Sequence, residues 1–116
     1  MARIEKPWGY EEIWAQTKSY VGKKMLIRSG QRMSLQYHEV KEETIYVLSG
    51  FLILWQSEDN KDFKILKPGD TFHVKPGEVH RFGADCTEDV ILIEVSTPEL
   101  DDVIRLADDY ERGRDI

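Results

Sequence analysis

The sequence predicts an all-β fold, a small antiparallel barrel followed by a short helical tail. Short runs rich in β-branched and aromatic residues alternate with turn signals along most of the chain, a pattern typical of barrels. Two turns, 67–70 and 75–78, read Lys-Pro-Gly-acid, in which proline fixes φ and glycine supplies a positive φ. After Pro98 the apolar residues recur at helical spacing. We therefore expect two sheets around one core, with the C-terminal segment packed outside.

Individual elements follow from the same signals. The predicted strands are 11–15, 20–28, 33–39, 43–48, 51–57, 62–66, 71–74, 79–83 and 89–96. Hairpin turns are expected at Ser49-Gly50 and over 57–62. The tail, 99–111, is predicted to be a short amphipathic helix, because its apolar residues are Leu100, Val103, Ile104 and Ala107.

Length and composition limit the class of protein. A chain of 116 residues has the length of one domain, so we predict a single domain over 1–116. We see no apolar run of about 18 residues and no signal-peptide segment, so no membrane partner is expected. Cys86 is the only cysteine, which excludes an intrachain disulfide and favours a reducing, cytoplasmic location.

Charge is unevenly distributed along the chain. The net charge is −6, and residues 99–116 hold seven acids and three bases, so most of it lies in the tail. This balance argues against a nucleic-acid partner. A small anionic ligand remains compatible, although most of the basic residues near the motifs are interpreted as solvated surface. These residues are Lys6, Lys23, Lys24, Arg28, Arg32, Lys41 and Arg81.

Two glycine-bounded segments carry groups suited to a divalent metal. Gln36 and His38 are two apart, so on a strand they project to the same face, and Glu43 follows after room for a reversal. His80 comes just after the turn Pro76-Gly77. An amide, two imidazoles and a carboxylate suit zinc first, and nickel, iron, cobalt or manganese as well. The alternative is a metal-free polar pocket formed by the same side chains.

These segments resemble the two paired motifs of the cupin superfamily. In the first motif Gly30, Gln36, His38, Glu43 and Gly50 occupy the characteristic places, with glutamine in the position of the first histidine. The resemblance implies a double-stranded β-helix of the jelly-roll type and a metal held by the four side chains proposed above.

The second motif is matched by Gly69, Gly77 and His80. It departs from the family pattern at two places. Its proline comes one position late, at Pro76, and Ala84 replaces its terminal asparagine. Neither position is a metal ligand, so the departures leave the implied ligand set unchanged.

A closer resemblance is to the C-terminal cupin domain of type II mannose-6-phosphate isomerases, usually fused to a guanylyltransferase. It rests on Lys6-Pro7-Trp8-Gly9 and on the segments 30–38, 77–81, 92–95 and 101–110. It implies a metal-dependent sugar-phosphate isomerase that interconverts mannose 6-phosphate and fructose 6-phosphate.

One segment departs from that family. Residues 38–44 read His-Glu-Val-Lys-Glu-Glu-Thr, without the two further histidines and the arginine that the family often has. Two alternatives therefore stay open. One is a non-catalytic cupin that binds a sugar or nucleotide sugar, and the other is a different metal-dependent enzyme such as a dioxygenase.

Three residues are candidates for catalysis in an isomerase. Glu94 lies within an otherwise apolar strand and is the candidate base, with a structural role as the alternative. Lys24 is placed to reach a phosphate. Arg81 follows His80, resembles the His-Arg pair of the family and would clamp a phosphate, although strand alternation points it away from His80.

A homodimer is the predicted assembly. Aromatic residues such as Trp8 and Trp14 are concentrated near the N-terminus. In a small barrel they more often fill the core or an interface than bind sugar. Cupins commonly pair through their N-terminal strands, and exposed sheet edges need a cover.

Overall fold

The computed structural model describes residues 2–58 and 61–110, and this part of the chain forms eleven β-strands and no helix. The strands are β1 Ala2–Lys6, β2 Gly9–Gln16, β3 Val21–Ile27, β4 Leu35–Tyr37, β5 Glu43–Ser49, β6 Leu52–Trp55, β7 Phe63–Leu66, β8 Thr71–Val74, β9 Arg81–Ala84, β10 Val90–Ser96 and β11 Ile104–Ala107. The all-β prediction is confirmed, and each predicted strand overlaps one of β2–β10. The sequence does not predict β1, which is short and rich in charge.

The larger of the sheets has six antiparallel strands in the order β1-β2-β3-β10-β5-β8. Its inner face follows simple alternation. On β3, Lys23, Met25 and Ile27 are buried, whereas Lys24 and Leu26 between them are half-buried on the outer face. This alternation decides which side chains reach the barrel interior.

The second layer contains a three-stranded sheet, β7-β6-β9, and the pair β11-β4. Two isolated bridges, Arg32↔Gly83 and Gln36↔His80, join the segment around β4 to the segment around β9. Apolar side chains of both layers meet in one core. Its buried residues are Trp8, Met25, Ile27, Met33, Ile45, Val47, Leu52, Leu54, Val74, Phe82, Ala84, Val90 and Leu92.

The turn between β5 and β6 requires glycine. Gly50 has a φ of +81°, and a Cβ at this position would lie 2.3 Å from the carbonyl oxygen of Asp89. L-residues with a side chain rarely adopt this conformation, and the close backbone approach leaves no room for one. The glycine therefore lets the β5–β6 hairpin pack against the start of β10.

The C-terminal segment corrects the helix predicted over 99–111. As far as residue 110 it forms turns and the strand β11, which pairs with β4, and residue 111 lies outside the described part. The apolar residues with helical spacing do not belong to one element. Leu100 and Val103 precede β11 and line a cavity, whereas Ile104 and Ala107 belong to β11. The edge of β4 offers unpaired backbone groups that β11 satisfies. Local periodicity contains no information about that distant edge.

Within the described residues, no helix has the length and apolar character that a membrane span requires.

Candidate metal centre

Three titratable side chains from separate parts of the chain meet inside the barrel. His38 follows β4, Glu43 begins β5 and His80 precedes β9. All three are buried, and one ligand atom from each lies within 4.8 Å of the others. The backbones of Gln36 and His80 exchange hydrogen bonds, so their side chains project to the same face.

A backbone carbonyl occupies one nitrogen of each imidazole. His38 Nδ1 lies 2.5 Å from the carbonyl oxygen of Asp102, and His80 Nδ1 lies 3.0 Å from that of Glu78. Because a carbonyl oxygen only accepts, each Nδ1 carries a proton and donates it. In the neutral imidazole the lone pair is then on Nε2, the nitrogen that a metal would bind.

The two Nε2 atoms fit a metal ion. Both are buried and lack a hydrogen-bond partner within the described part of the chain. They lie 2.7 Å (His38) and 3.8 Å (His80) from the same oxygen, Oε1 of Glu43. Lone pairs and a carboxylate oxygen at these distances repel one another unless a proton or a metal ion lies between them. Zinc and similar divalent ions take this set of nitrogen and oxygen donors.

Gln36, the fourth predicted ligand, lies beside this cluster. Its side chain is half-buried and lines the same cavity as His38. The oxygen Oε1 accepts a hydrogen bond from Ser34 Oγ at 3.0 Å. An amide oxygen has a second lone pair, so Gln36 is placed to complete a set of four donors.

A second buried carboxyl group, Glu94 on β10, adjoins the cluster. Lys41 Nζ is 3.5 Å from Glu94 and 3.9 Å from Glu43, so one buried ammonium group lies between two acids. Burial and the charge of Glu43 raise the pKa of Glu94 well above its usual range. Burial also opposes ionisation of Glu43, but close contacts with Glu94, His38 and Lys41 outweigh it and hold the pKa of Glu43 below its usual range. Of the two acids, Glu94 therefore holds a proton more tightly.

A cavity of about 100 Å³ is lined by Gln36, His38 and several charged residues, most of them basic. The basic lining residues are Lys6, Lys23, Lys41 and Arg105. The one acidic residue among the described lining residues, Glu11, lies 3.3 Å from Lys23. Trp8, Met33, Leu100 and Val103 supply apolar surface. Positive charge in a partly enclosed space favours an anionic ligand.

The sequence matches a known domain family over the part of the chain that carries this cluster. The profile of the cupin domain matches residues 23–96, from β3 to the end of β10. The chain belongs to the cupin family. Its barrel is the double-stranded β-helix of that family. A comparison with curated proteins finds no match.

Solved structures share the fold of this cupin. A protein with a double-stranded β-helix domain from Klebsiella pneumoniae subsp. pneumoniae MGH 78578 is 23% identical, with a TM-score of 0.75 over 89% of this chain and 88% of that one. KdgF from Halomonas sp. is 20% identical, with a TM-score of 0.73 over 84% and 88%. The polyketide cyclase RemF from Streptomyces resistomycificus is 20% identical, with a TM-score of 0.79 over 90% and 78%. At these identities the likeness shows the fold alone, and at least one neighbour is an enzyme.

Two predicted catalytic residues of this cupin lie away from the cavity. Lys24 is on the outer face of β3, and its neighbour Lys23 faces inward instead. Arg81 is buried on β9, where its Nη2 donates to the carbonyl of Ala107 at 3.1 Å and lies 3.9 Å from Asp109. Burial lowers the pKa of Arg81. Neither residue therefore lines the cavity. Lys24 faces outward because of strand alternation, and Arg81 is bonded to the C-terminal segment.

The structure also identifies residues of the cavity, and one residue beside the candidate metal centre, that the sequence analysis did not select. Lys23 alternates with the buried Met25, a signal that the sequence contains, but a lysine is ordinarily interpreted as surface. Glu11 and Arg105 carry no such signal. Asp102 carries none either, because its backbone donors lie 61 to 63 residues earlier in the chain.

Proposed function

We propose that this cupin is a metal-dependent isomerase of sugar phosphates that interconverts mannose 6-phosphate and fructose 6-phosphate. The observation that supports the proposal is that His38, which meets Glu43 and His80 in one cluster, lines a cavity whose charged residues are mostly basic. A metal at this cluster would polarise a sugar oxygen, and basic side chains would bind a phosphate. The resemblance of the sequence to type II mannose-6-phosphate isomerases points to the same reaction.

The reaction moves a proton between C1 and C2 of the open-chain sugar. It requires a base and an electrophile that stabilises the developing enediolate. His38, Glu43 and His80, with Gln36 as a fourth donor, would hold the metal, which supplies the electrophile when bound. Three neutral donors and one carboxylate leave net positive charge at a divalent ion, which favours an anionic oxygen.

Two carboxyl groups are candidates for the base. Burial and the charge of Glu43 raise the pKa of Glu94, the direction expected of a general base, but Glu94 is not among the residues that line the cavity. Glu11 does line it, beside Lys23. Because a base must first reach the substrate, we assign the direct proton transfer to Glu11. Glu94 then acts indirectly, because it keeps a proton and shares a hydrogen bond with the Glu43 carboxylate.

The test compares metal content and turnover in the same preparations. Protein stripped by a chelator is reloaded with zinc, and in parallel with nickel, iron, cobalt or manganese, and assayed on mannose 6-phosphate. We expect activity to disappear with the metal and to return with one of these ions. His80→Ala should lose metal while the barrel stays folded, because the core is apolar elsewhere.

Two matched variants identify the base. Glu11→Gln and Glu94→Gln each remove one carboxylate and keep the size of the side chain. Loss of the base should lower turnover by about 10²–10⁴-fold with unchanged zinc content. If Glu94→Gln lowers turnover more than Glu11→Gln does, Glu94 rather than Glu11 is the base. Metal-loaded protein that shows no turnover with any ion would contradict the isomerase.

A non-catalytic binding function is the second candidate, and the segment 38–44 favours it, because it lacks the two further histidines and the arginine that the isomerase family often has. The cavity is also small. A volume of about 100 Å³ is below the range of about 300–1,000 Å³ that is typical of ligand pockets. Such a site would hold only part of a sugar phosphate. Calorimetry with mannose 6-phosphate and with a nucleotide sugar separates the two functions, because the binding module predicts affinity without turnover.

A further inference from the structure

Asp102 contacts the candidate metal centre through its backbone carbonyl and the neighbouring loop, residues 39–41, through its side chain. It lies in the turn before β11, and its carboxylate accepts three hydrogen bonds from consecutive backbone N–H groups. These come from Glu39 at 3.0 Å, Val40 at 2.7 Å and Lys41 at 2.8 Å. Hydrogen bonds to an ionised acceptor are about twice as strong as neutral ones, so this contact fixes the backbone of the segment.

The backbone carbonyl of Asp102 makes the second contact. It accepts the proton of His38 Nδ1 at 2.5 Å. This bond orients the imidazole and leaves its lone pair on Nε2, which faces Glu43. His80 has an equivalent bond to a different carbonyl, that of Glu78. The tautomer of His38 thus depends on the position of residue 102, whereas that of His80 does not.

The segment held by Asp102 connects two candidate ligands. Residues 39–42 lead from His38 to Glu43, and they are irregular rather than part of a strand. Thr97 fixes the far end, since the N–H of Glu42 donates to its Oγ1 at 3.0 Å. Asp102 fixes the near end. With both ends held, the distance between the imidazole and the carboxylate is set before any ion binds.

We propose that Asp102 is a positioning residue for the candidate metal centre, holding the tautomer of His38 and the spacing between His38 and Glu43. The inference rests on the metal centre of the proposed function. Residues that orient metal ligands commonly contribute 10–100-fold to metal affinity. Asp102→Ala should therefore weaken zinc binding by about 10–100-fold.

The experiment uses the full chain and three variants. Zinc affinity is measured by competition with a chromophoric chelator for wild type, Asp102→Ala, Asp102→Asn and Asp101→Ala. Asp101 is the matched control, because it is an exposed neighbouring aspartate. We expect Asp101→Ala to bind zinc like wild type and Asp102→Asn, which keeps one acceptor oxygen, to lose less affinity than Asp102→Ala. Urea unfolding of the same proteins reports the stability of the fold.

A second readout needs no metal. Long-range ¹H–¹⁵N spectra at about pH 8, where an unperturbed imidazole is neutral, report the tautomer of each histidine. In Asp102→Ala we expect His38 to become a mixture of tautomers while His80 remains protonated on Nδ1. A merely structural role of Asp102 would not separate the two rings.

Three outcomes would overturn the proposal. One is unchanged zinc affinity together with an unchanged His38 ring in Asp102→Ala. Another is an equal loss in Asp101→Ala. The last is a loss of affinity that matches the loss of folded protein in both Asp102 variants. Wild-type protein that binds no zinc would contradict the metal centre itself, and the spectra of the metal-free protein would still decide whether Asp102 positions His38.

Discussion

Two adjacent lysines show how one residue's position on a strand sets its chemistry. Lys23 faces the barrel interior, lines the cavity and lies 3.3 Å from Glu11, with only 7% of its side chain exposed. Lys24 lies on the outer face of the same strand. A buried ammonium group is costly unless it is paired. The pairing with Glu11 offsets that cost and keeps a positive charge in the cavity wall.

These lysines provide a matched test of the anionic site. Lys23→Gln should raise the KM for mannose 6-phosphate, or its dissociation constant if binding is measured, by about tenfold or more, because it removes a charge-assisted hydrogen bond. Lys24→Gln should leave both unchanged. The double variant Lys23→Gln/Glu11→Gln controls for the acid left unpaired and is compared by dissociation constant, because it also lacks the proposed base. Equal effects of the two single lysine variants would contradict the assignment of the cavity as the ligand site.

Polar contacts hold the segment that contains β11 on the barrel. Arg32 donates to both carboxylate oxygens of Asp109, at 2.6 and 3.0 Å. The hydroxyl of Tyr110 donates to Gln31 Oε1 at 2.6 Å. Because Asp102 belongs to the same segment, these contacts also support the loop between the candidate metal ligands.

The pairing of Arg32 with Asp109 predicts a specific acid dependence of stability. The hydrogen bond from Arg32 lowers the pKa of Asp109 in the folded protein. The pair therefore stabilises the fold fully above the unfolded-state pKa of about 3.9, and this contribution is lost as the pH falls through the folded pKa. Since the carboxylate is 43% exposed, solvent screening limits the contribution to about 0.2–1 kcal/mol.

Asp109→Asn tests that contribution. At neutral pH its free energy of unfolding in urea should be lower than that of wild type by this amount, and the difference should shrink as the solution is acidified. Asp101→Asn, which removes a charge from an exposed aspartate of the same segment, should show no such pH-dependent difference. A constant gap between Asp109→Asn and wild type at every pH would contradict the role of the ionised pair.

The outer face of the larger sheet exposes several large apolar side chains. Trp14, Tyr46 and Val95 are 50%, 44% and 49% exposed. Val95 pairs with Gly22 on one side and Thr44 on the other. The indole of Trp14 covers Gly22, where a Cβ would lie 2.6 Å from the ring. Large apolar patches on small proteins mark interaction surfaces.

We expect two copies of the chain to pair through this face, and the homodimer predicted from the sequence stays a prediction until it is measured. Val95→Arg should give a monomer in sedimentation equilibrium, because a charge buried without a partner opposes association. Ile65→Arg, on the outer face of β7 where Ile65 is 57% exposed, should leave the dimer intact. A monomeric wild type, or dissociation by Ile65→Arg alone, would contradict this interface.

Strand alternation and motif spacing are local properties, so the all-β class, the strands β2–β10 and the ligand candidates could be predicted from the sequence. Gln36 and His38 share a face because they are two apart on a strand, and the turn before His80 is specified by Pro76-Gly77. The histidine and glutamate side chains selected from this spacing do meet in the barrel. For these features, nearby residues contain all the information that is needed.

Features that depend on partners far away in the sequence could not be predicted and became visible in the folded barrel. The tail is a strand because the edge of β4 pairs with it, although its apolar spacing is helical. The buried Arg81 donates a hydrogen bond to the carbonyl of Ala107. The carbonyl of Asp102 accepts one from His38, which lies more than sixty residues earlier in the chain. Hydrogen bonds between segments far apart in sequence leave no periodicity in either segment. The physical reason is that such contacts depend on which backbone edges and buried donors the folded barrel leaves to be satisfied.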